Sequence, residues 1–151
     1  MNRSESAKQN FLKGYNCAQS VALAFSDVIG MSEAAVLKAV SAFGGGFGRL
    51  REVCGAFSAL TFVYGCACGY DDPKDFDGKK SLYADIQDMA EKFKEINGSI
   101  VCRELLGVSG KESFVPEKRT AEYYKKRPCA EICAVAAEIL AEKLMSKGLI
   151  H

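Results

Sequence analysis

The sequence contains no tryptophan, only three prolines and a single histidine, and it has almost no net charge. The histidine is the terminal residue, His151, where a chain is expected to be mobile, so a histidine-based catalytic triad is excluded. Cys-x-x-Cys-His is also missing, which excludes covalently attached c-type haem. Twenty basic side chains face nineteen acidic ones, so no global field draws the chain to nucleic acid or to an anionic membrane. The glycine-rich run Gly44-Gly45-Gly46-Phe47-Gly48 lacks the lysine and hydroxyl residue of a phosphate loop, and no strand precedes it. Its expected role is to let the backbone approach a neighbour closely, or to move. Asp71, Asp72, Asp75 and Asp77 miss the EF-hand spacing and its closing glutamate, and read as a solvated loop. The opening residues, Met1-Asn-Arg-Ser-Glu-Ser-Ala-Lys, are charged and polar. They do not fit a secretory signal, and the expected compartment is the cytoplasm.

What remains is helical. At 151 residues the chain is sized for a single domain with a substantial core. Apolar residues recur at three- and four-residue steps in Ala18, Val21, Ala22, Phe25, Val28 and Ile29, with Asn16 and Gln19 placed as a capping box. Ser32 is expected to cap a second helix ending at Gly44. Val53 to Tyr70 is eighteen residues without a charge, long enough to raise a membrane span. Its glycines, hydroxyl residues and three cysteines point instead to a central helix buried by its own domain. An amphipathic helix is expected over 79–97, a short one from Ser99 through Leu106, and a final one opened by Pro128. The expected fold is all-α, an irregular bundle of about six helices around the central apolar one.

Seven cysteines, an odd number without a secretory signal, argue against a disulfide framework and towards metal, cluster or redox chemistry. Cys17, Cys54, Cys102 and Cys129 fall in the first turns of four different expected helices. Helix N-termini carry partial positive charge and free amide donors, which favours thiolates. Arg49 and Arg51 before Cys54, and Lys125, Lys126 and Arg127 before Cys129, add positive charge. Any one of these cysteines alone would be read as small core packing. Cys66 and Cys68 are expected to pack in the core. Cys133, one turn after Cys129, is either an auxiliary thiol or a resolving partner.

The order and local context of these cysteines carry a resemblance. Tyr15-Asn16-Cys17-Ala18-Gln19, Cys54-Gly55-Ala56-Phe57-Ser58-Ala59, Cys102-Arg103-Glu104-Leu105-Leu106-Gly107 and Cys129 together resemble the redox-active protein family named for its C…GCAxxG…C…C pattern. The resemblance runs from about Lys13 to Ala134, and Ala59 departs from it, standing where the motif ends in glycine. The chain is also similar to the N-terminal part of split-Soret cytochromes, a resemblance that implies haem and an iron–sulfur centre, of which the missing Cys-x-x-Cys-His leaves the iron–sulfur centre as the expectation.

Three functions use the same residues. An electron-transfer protein would bind an iron–sulfur cluster through Cys17, Cys54, Cys102 and Cys129, the common four-thiolate set. A metal-free thiol–disulfide protein would use Cys54, or alternatively Cys129, as nucleophile. A zinc module would use all four structurally. A redox partner is implied, and a homodimer is one expectation. Tyr15, Tyr64, Tyr70 and Phe47 are candidates for shielding the centre from water.

Overall fold

The computed structural model describes residues 2–151, and its described residues form nine α-helices without a strand. They are α1 (Arg3–Leu12), α2 (Cys17–Leu23), α3 (Ser26–Ile29), α4 (Glu33–Val40), α5 (Gly55–Cys68), α6 (Phe76–Asn97), α7 (Cys102–Leu106), α8 (Ala121–Lys126) and α9 (Cys129–Ser146). A short 3-10 turn, Ser41–Phe43, and the glycine turn Gly44–Phe47 link α4 to the loop before α5.

The uncharged helix α5 is the centre of the bundle. Ala56, Phe57, Ala59, Leu60, Val63 and Tyr64 are all buried. Helices α2, α6 and α9 pack around it, so its apolar character serves the core. Fourteen residues span only about 21 Å, short of a bilayer. Among the described residues no helix is long and apolar enough to cross a membrane. Ala59 is fully buried, so its methyl sits inside this core.

Two helices are additions to the expected six, and one expected helix is divided. Helix α1 buries only Ala7 and Phe11, too few apolar positions to register as a pattern, yet it packs along α9. The segment 16–29 is broken at Ala24–Phe25 because Arg3 reaches it. Its guanidinium donates to the Ala24 carbonyl at 2.9 Å and lies 4.9 Å from the centroid of the Phe25 ring. Helix α8 follows Thr120, whose hydroxyl caps the Tyr123 amide. In the sequence it is hidden as a basic approach to Pro128.

One buried polar contact ties α5 to the outer helices. Tyr64 is fully buried, and its hydroxyl donates to Asp85 at 2.6 Å. Lys143 and Lys147 flank the same carboxylate at 3.6 and 3.3 Å. Burial works against the Asp85 charge, but the Tyr64 and Lys147 contacts hold its carboxyl below the usual range. The Lys143 bond holds Asp88 low as well. Depressed carboxyl groups stabilise the fold above their ordinary pKa and lose that contribution as pH falls through the folded value. Stability is therefore expected to drop below about pH 4, and Tyr64→Phe to cost about 1 kcal/mol in urea unfolding at neutral pH. Asp85→Asn should blunt the acid loss. An unfolding midpoint insensitive to pH over that range would contradict the account.

Candidate functional site

The four cysteines singled out in the sequence stand where four helices start. Cys17 is the first residue of α2, Cys102 of α7 and Cys129 of α9, and Cys54 is the N-cap of α5. Local sequence explains each start. Asn16 and Gln19 form the expected capping box, with the Gln19 amide bonded to Asn16 at 2.8 Å. The Asn16 side chain also donates to the Ser41 carbonyl at 3.0 Å, pinning α2 to the turn after α4. Pro128 caps α9 with no side-chain hydrogen bond, leaving Cys129 to open it.

A single antiparallel bridge between Val53 and Val101 sets Cys54 and Cys102 side by side. The Cys54 amide donates to Ile100 at 2.7 Å and the Cys102 amide to Glu52 at 2.5 Å. β-Branched valines suit this extended pairing. The short helix α7 thus begins at Cys102, capped at Val101. The Ser99 hydroxyl accepts from the Val101 amide and bonds Glu104.

The glycine-rich segment closes one wall by winding left-handed. Gly45, Gly46, Phe47, Gly48, Arg49 and Arg51 all have positive φ. Phe47, Arg49 and Arg51 carry side chains in that region, at about 1–2 kcal/mol each. Two glycines are required by close approach. A Cβ on Gly46 would lie 2.6 Å from the Cys102 Cβ, and one on Gly55 would lie 2.5 Å from the Cys17 sulfur. The expectation that this loop brings backbone close to a neighbour is met, and the neighbours are the cysteines. The Gly45 and Ala18 amides favour the charged form of Cys17, and those of Phe57 and Ala56 that of Cys54, each against the larger effect of burial.

Cys17, Cys54, Cys102 and Cys129 all line one cavity of about 460 Å³. That space is about fifteen times the volume a water molecule takes in the liquid. No three His, Cys, Asp or Glu side chains among the described residues are close enough to hold a single metal ion, so the sulfurs surround a space and do not meet at a point. Arg51 is 5% exposed. Its Nη1 donates to the Cys102 sulfur at 3.6 Å and its Nε to Glu112 at 2.7 Å. Arg49, Arg119 and Arg127 also line the cavity. Arg119 lies 4.2 Å from the Phe11 ring centroid and donates to the Phe11 and Tyr15 carbonyls.

Burial overturns the expectation of low-pKa nucleophiles. Cys54 is 6% exposed, not left accessible by the glycine loop. Burial, then the nearby Cys17, push its thiol well above the ordinary value despite the amides. Burial likewise raises Cys17 and pushes Cys129 up to about 12. Desolvation of the charged form outweighs the helix-start amides here. Cys133 is fully buried behind the cavity, its sulfur 3.7 Å from the Cys17 carbonyl. Cys66 and Cys68 lie outside the cavity. Cys66 is exposed, contrary to the core packing expected of it.

The aromatic shield is made of residues other than those expected. Tyr64 faces Asp85, while Phe47 packs edge-on against Phe43. Neither these two nor Tyr15 nor Tyr70 lines the cavity, whose aromatic walls are Phe11, Phe114 and Tyr123. No sequence signal joins Phe11 to residues a hundred positions later; its ring meets Arg119, Tyr123 and Tyr124 only in the folded chain.

Compared with known proteins, the chain matches one family model, described as "Putative redox-active protein (C_GCAxxG_C_C)", over residues 15–143. No curated protein and no solved structure matches it. The matched span contains all four cavity cysteines. The literal tripeptide Gly-Cys-Ala occurs in this chain at Gly65-Cys66-Ala67, away from the cavity. Cys54-Gly55-Ala56 is the segment at the site.

The geometry fixes an order of thiol reactivity. Burial pushes the Cys129 thiol up to about 12, so it stays protonated at pH 8. Iodoacetamide added to metal-free native protein should therefore alkylate exposed Cys66 first, and Cys54 and Cys133 only on unfolding. Peptide mapping checks this, and labelling of Cys54 or Cys129 as fast as Cys66 would contradict it.

Proposed function

We propose an electron-transfer role for this chain, which belongs to the redox-active protein family named for its C…GCAxxG…C…C cysteine pattern. In this reading an iron–sulfur cluster is held by Cys17, Cys54, Cys102 and Cys129. The observation that carries it is the arrival of four cysteines from four helix starts at one cavity backed by a buried arginine.

Charge supports the reading. Four guanidinium groups, Arg49, Arg51, Arg119 and Arg127, surround the cavity with two carboxylates, Glu112 and Glu117. Two positive charges are left over. The common clusters with four thiolate ligands are dianionic when oxidised, so this surplus matches the group it would hold. Burial favours the protonated forms of Cys17, Cys54 and Cys129 in isolation, and metal ligation deprotonates such thiols outright. Backbone amides near Cys17 and Cys54 favour their thiolate forms, the kind of surroundings that tunes such centres. When bound, the cluster supplies one-electron chemistry at a potential set by its surroundings. Arg51 holds positive charge against Cys102, and the buried Phe11 gives the cavity an apolar wall.

The metal-free dithiol mechanism asks Cys54 or Cys129 to be the attacking thiolate, and the burial of both works against it. Structural zinc would draw four sulfurs to about 2.3 Å from one ion, which this open cavity does not provide.

Serine substitution at each of Cys17, Cys54, Cys102 and Cys129 should abolish stoichiometric iron and acid-labile sulfide in anaerobically purified protein. Substitution at Cys66 should leave both intact. Arg51→Gln, which removes a positive charge beside Cys102, should lower the midpoint potential by on the order of 50 mV, and Glu112→Gln should raise it. Full metal content in the four serine variants, or zinc alone in the parent, would overturn the reading.

A further inference from the structure

The segment 111–127 covers the cavity and differs in charge from the rest of the molecule. It holds six cations, Lys111, Lys118, Arg119, Lys125, Lys126 and Arg127, against three acids. Its excess of three exceeds the whole chain's +1, so the remainder is net negative. All three acids are engaged. Glu112 pairs with Arg51 and Arg49, Glu117 with Arg127 and Arg49, and Glu122 with Lys126. None of the ion pairs found among the described residues engages Lys111, Lys118 or Lys125, and all three are exposed. Between the first two, Phe114 is 90% exposed and Val115 61% exposed. Phe114 also lines the cavity, so one ring belongs both to the wall around the cysteines and to the outer surface.

We propose that this face docks an acidic single-electron carrier protein, with Phe114 and Val115 at the centre of the contact and Lys111, Lys118 and Lys125 around it. The inference rests on the electron-transfer reading above. An apolar centre within a charged rim is the usual anatomy of a docking patch, and unpaired cations of one sign select an acidic partner and speed its encounter. Position gives the function. Cys54 and Cys102 are 6% and 8% exposed, so a partner cannot reach the cavity through the core side. Cys129 is only half-buried and adjoins the Lys125–Arg127 end of this face. A reduced carrier seated here would be oxidised by one electron, and the cluster that Cys17, Cys54, Cys102 and Cys129 would hold would be reduced by that electron. The same loop on an anionic membrane is the competing occupant. The carrier is favoured because the rest of the chain is net negative, and an extended anionic bilayer meets more of that charge than a compact partner seated on this face.

The test uses the full chain, purified without oxygen, and flavodoxin as the acidic carrier, with binding followed by calorimetry. Affinity should fall about tenfold from low to physiological ionic strength. The Lys118→Glu/Lys125→Glu pair should weaken binding about tenfold and flatten the salt dependence, and Phe114→Ala should weaken it about fivefold at either salt. Lys80→Glu, on exposed α6, should leave it unchanged, and circular dichroism should show every variant folded. Absent binding to flavodoxin, equal loss with Lys80→Glu, or adsorption to phosphatidylserine vesicles without flavodoxin binding would each overturn the proposal. Iron and sulfide content of the same preparations decides the cluster reading separately, since docking is measured on loaded and metal-free protein alike.

Discussion

Everything in this molecule depends on bringing the starts of four helices to one place. Helix N-termini repel one another, because each presents partial positive charge and unpaired amides. The long helices α5 and α9 both begin at the cavity, with Cys54 and Cys129 at their starts. Four arginines add to the same field. Glu112 and Glu117 offset part of that field, and the remaining positive charge favours the entry of an anion. The structure is thus electrostatically prepared for an anion that four sulfurs can hold.

Strain in the glycine turn belongs to the same constraint. Running left-handed from Gly45 to Arg49, and again at Arg51, the backbone swings Arg51 inward to Cys102 and carries the Gly45 amide to Cys17. On this same backbone a side chain at Gly46 would place its Cβ 2.6 Å from that of Cys102, so the turn needs glycine there. Strain of this sort persists only where surrounding structure over-determines it. Here the Asn16 clamp on Ser41 and the Val53–Val101 bridge provide that support.

How much of this was legible in the sequence follows from the range of each interaction. Capping signals and apolar periodicity are local, and they placed α2, α4, α5, α6 and the start of α9 correctly. They also put all four cysteines at helix starts. Helix α1 escaped because its stability comes from α9 and not from its own pattern. The break at Ala24–Phe25 escaped because a distant guanidinium makes it. Within the site, Arg49 and Arg51 were visible as charge near Cys54. That Arg51 serves Cys102 depends on a bridge between residues nearly fifty positions apart. The thiol pKa was read with the wrong sign because helix starts are sequence features, while burial is a property of the whole packing.

The central claim is that this prepared space holds iron bridged by sulfide and ligated only by cysteine. X-ray absorption at the iron edge of anaerobically purified protein tests it most directly. The account predicts a first shell of sulfur alone and a second shell of iron. An iron-free preparation, zinc in place of iron, or a first shell containing oxygen or nitrogen would contradict it.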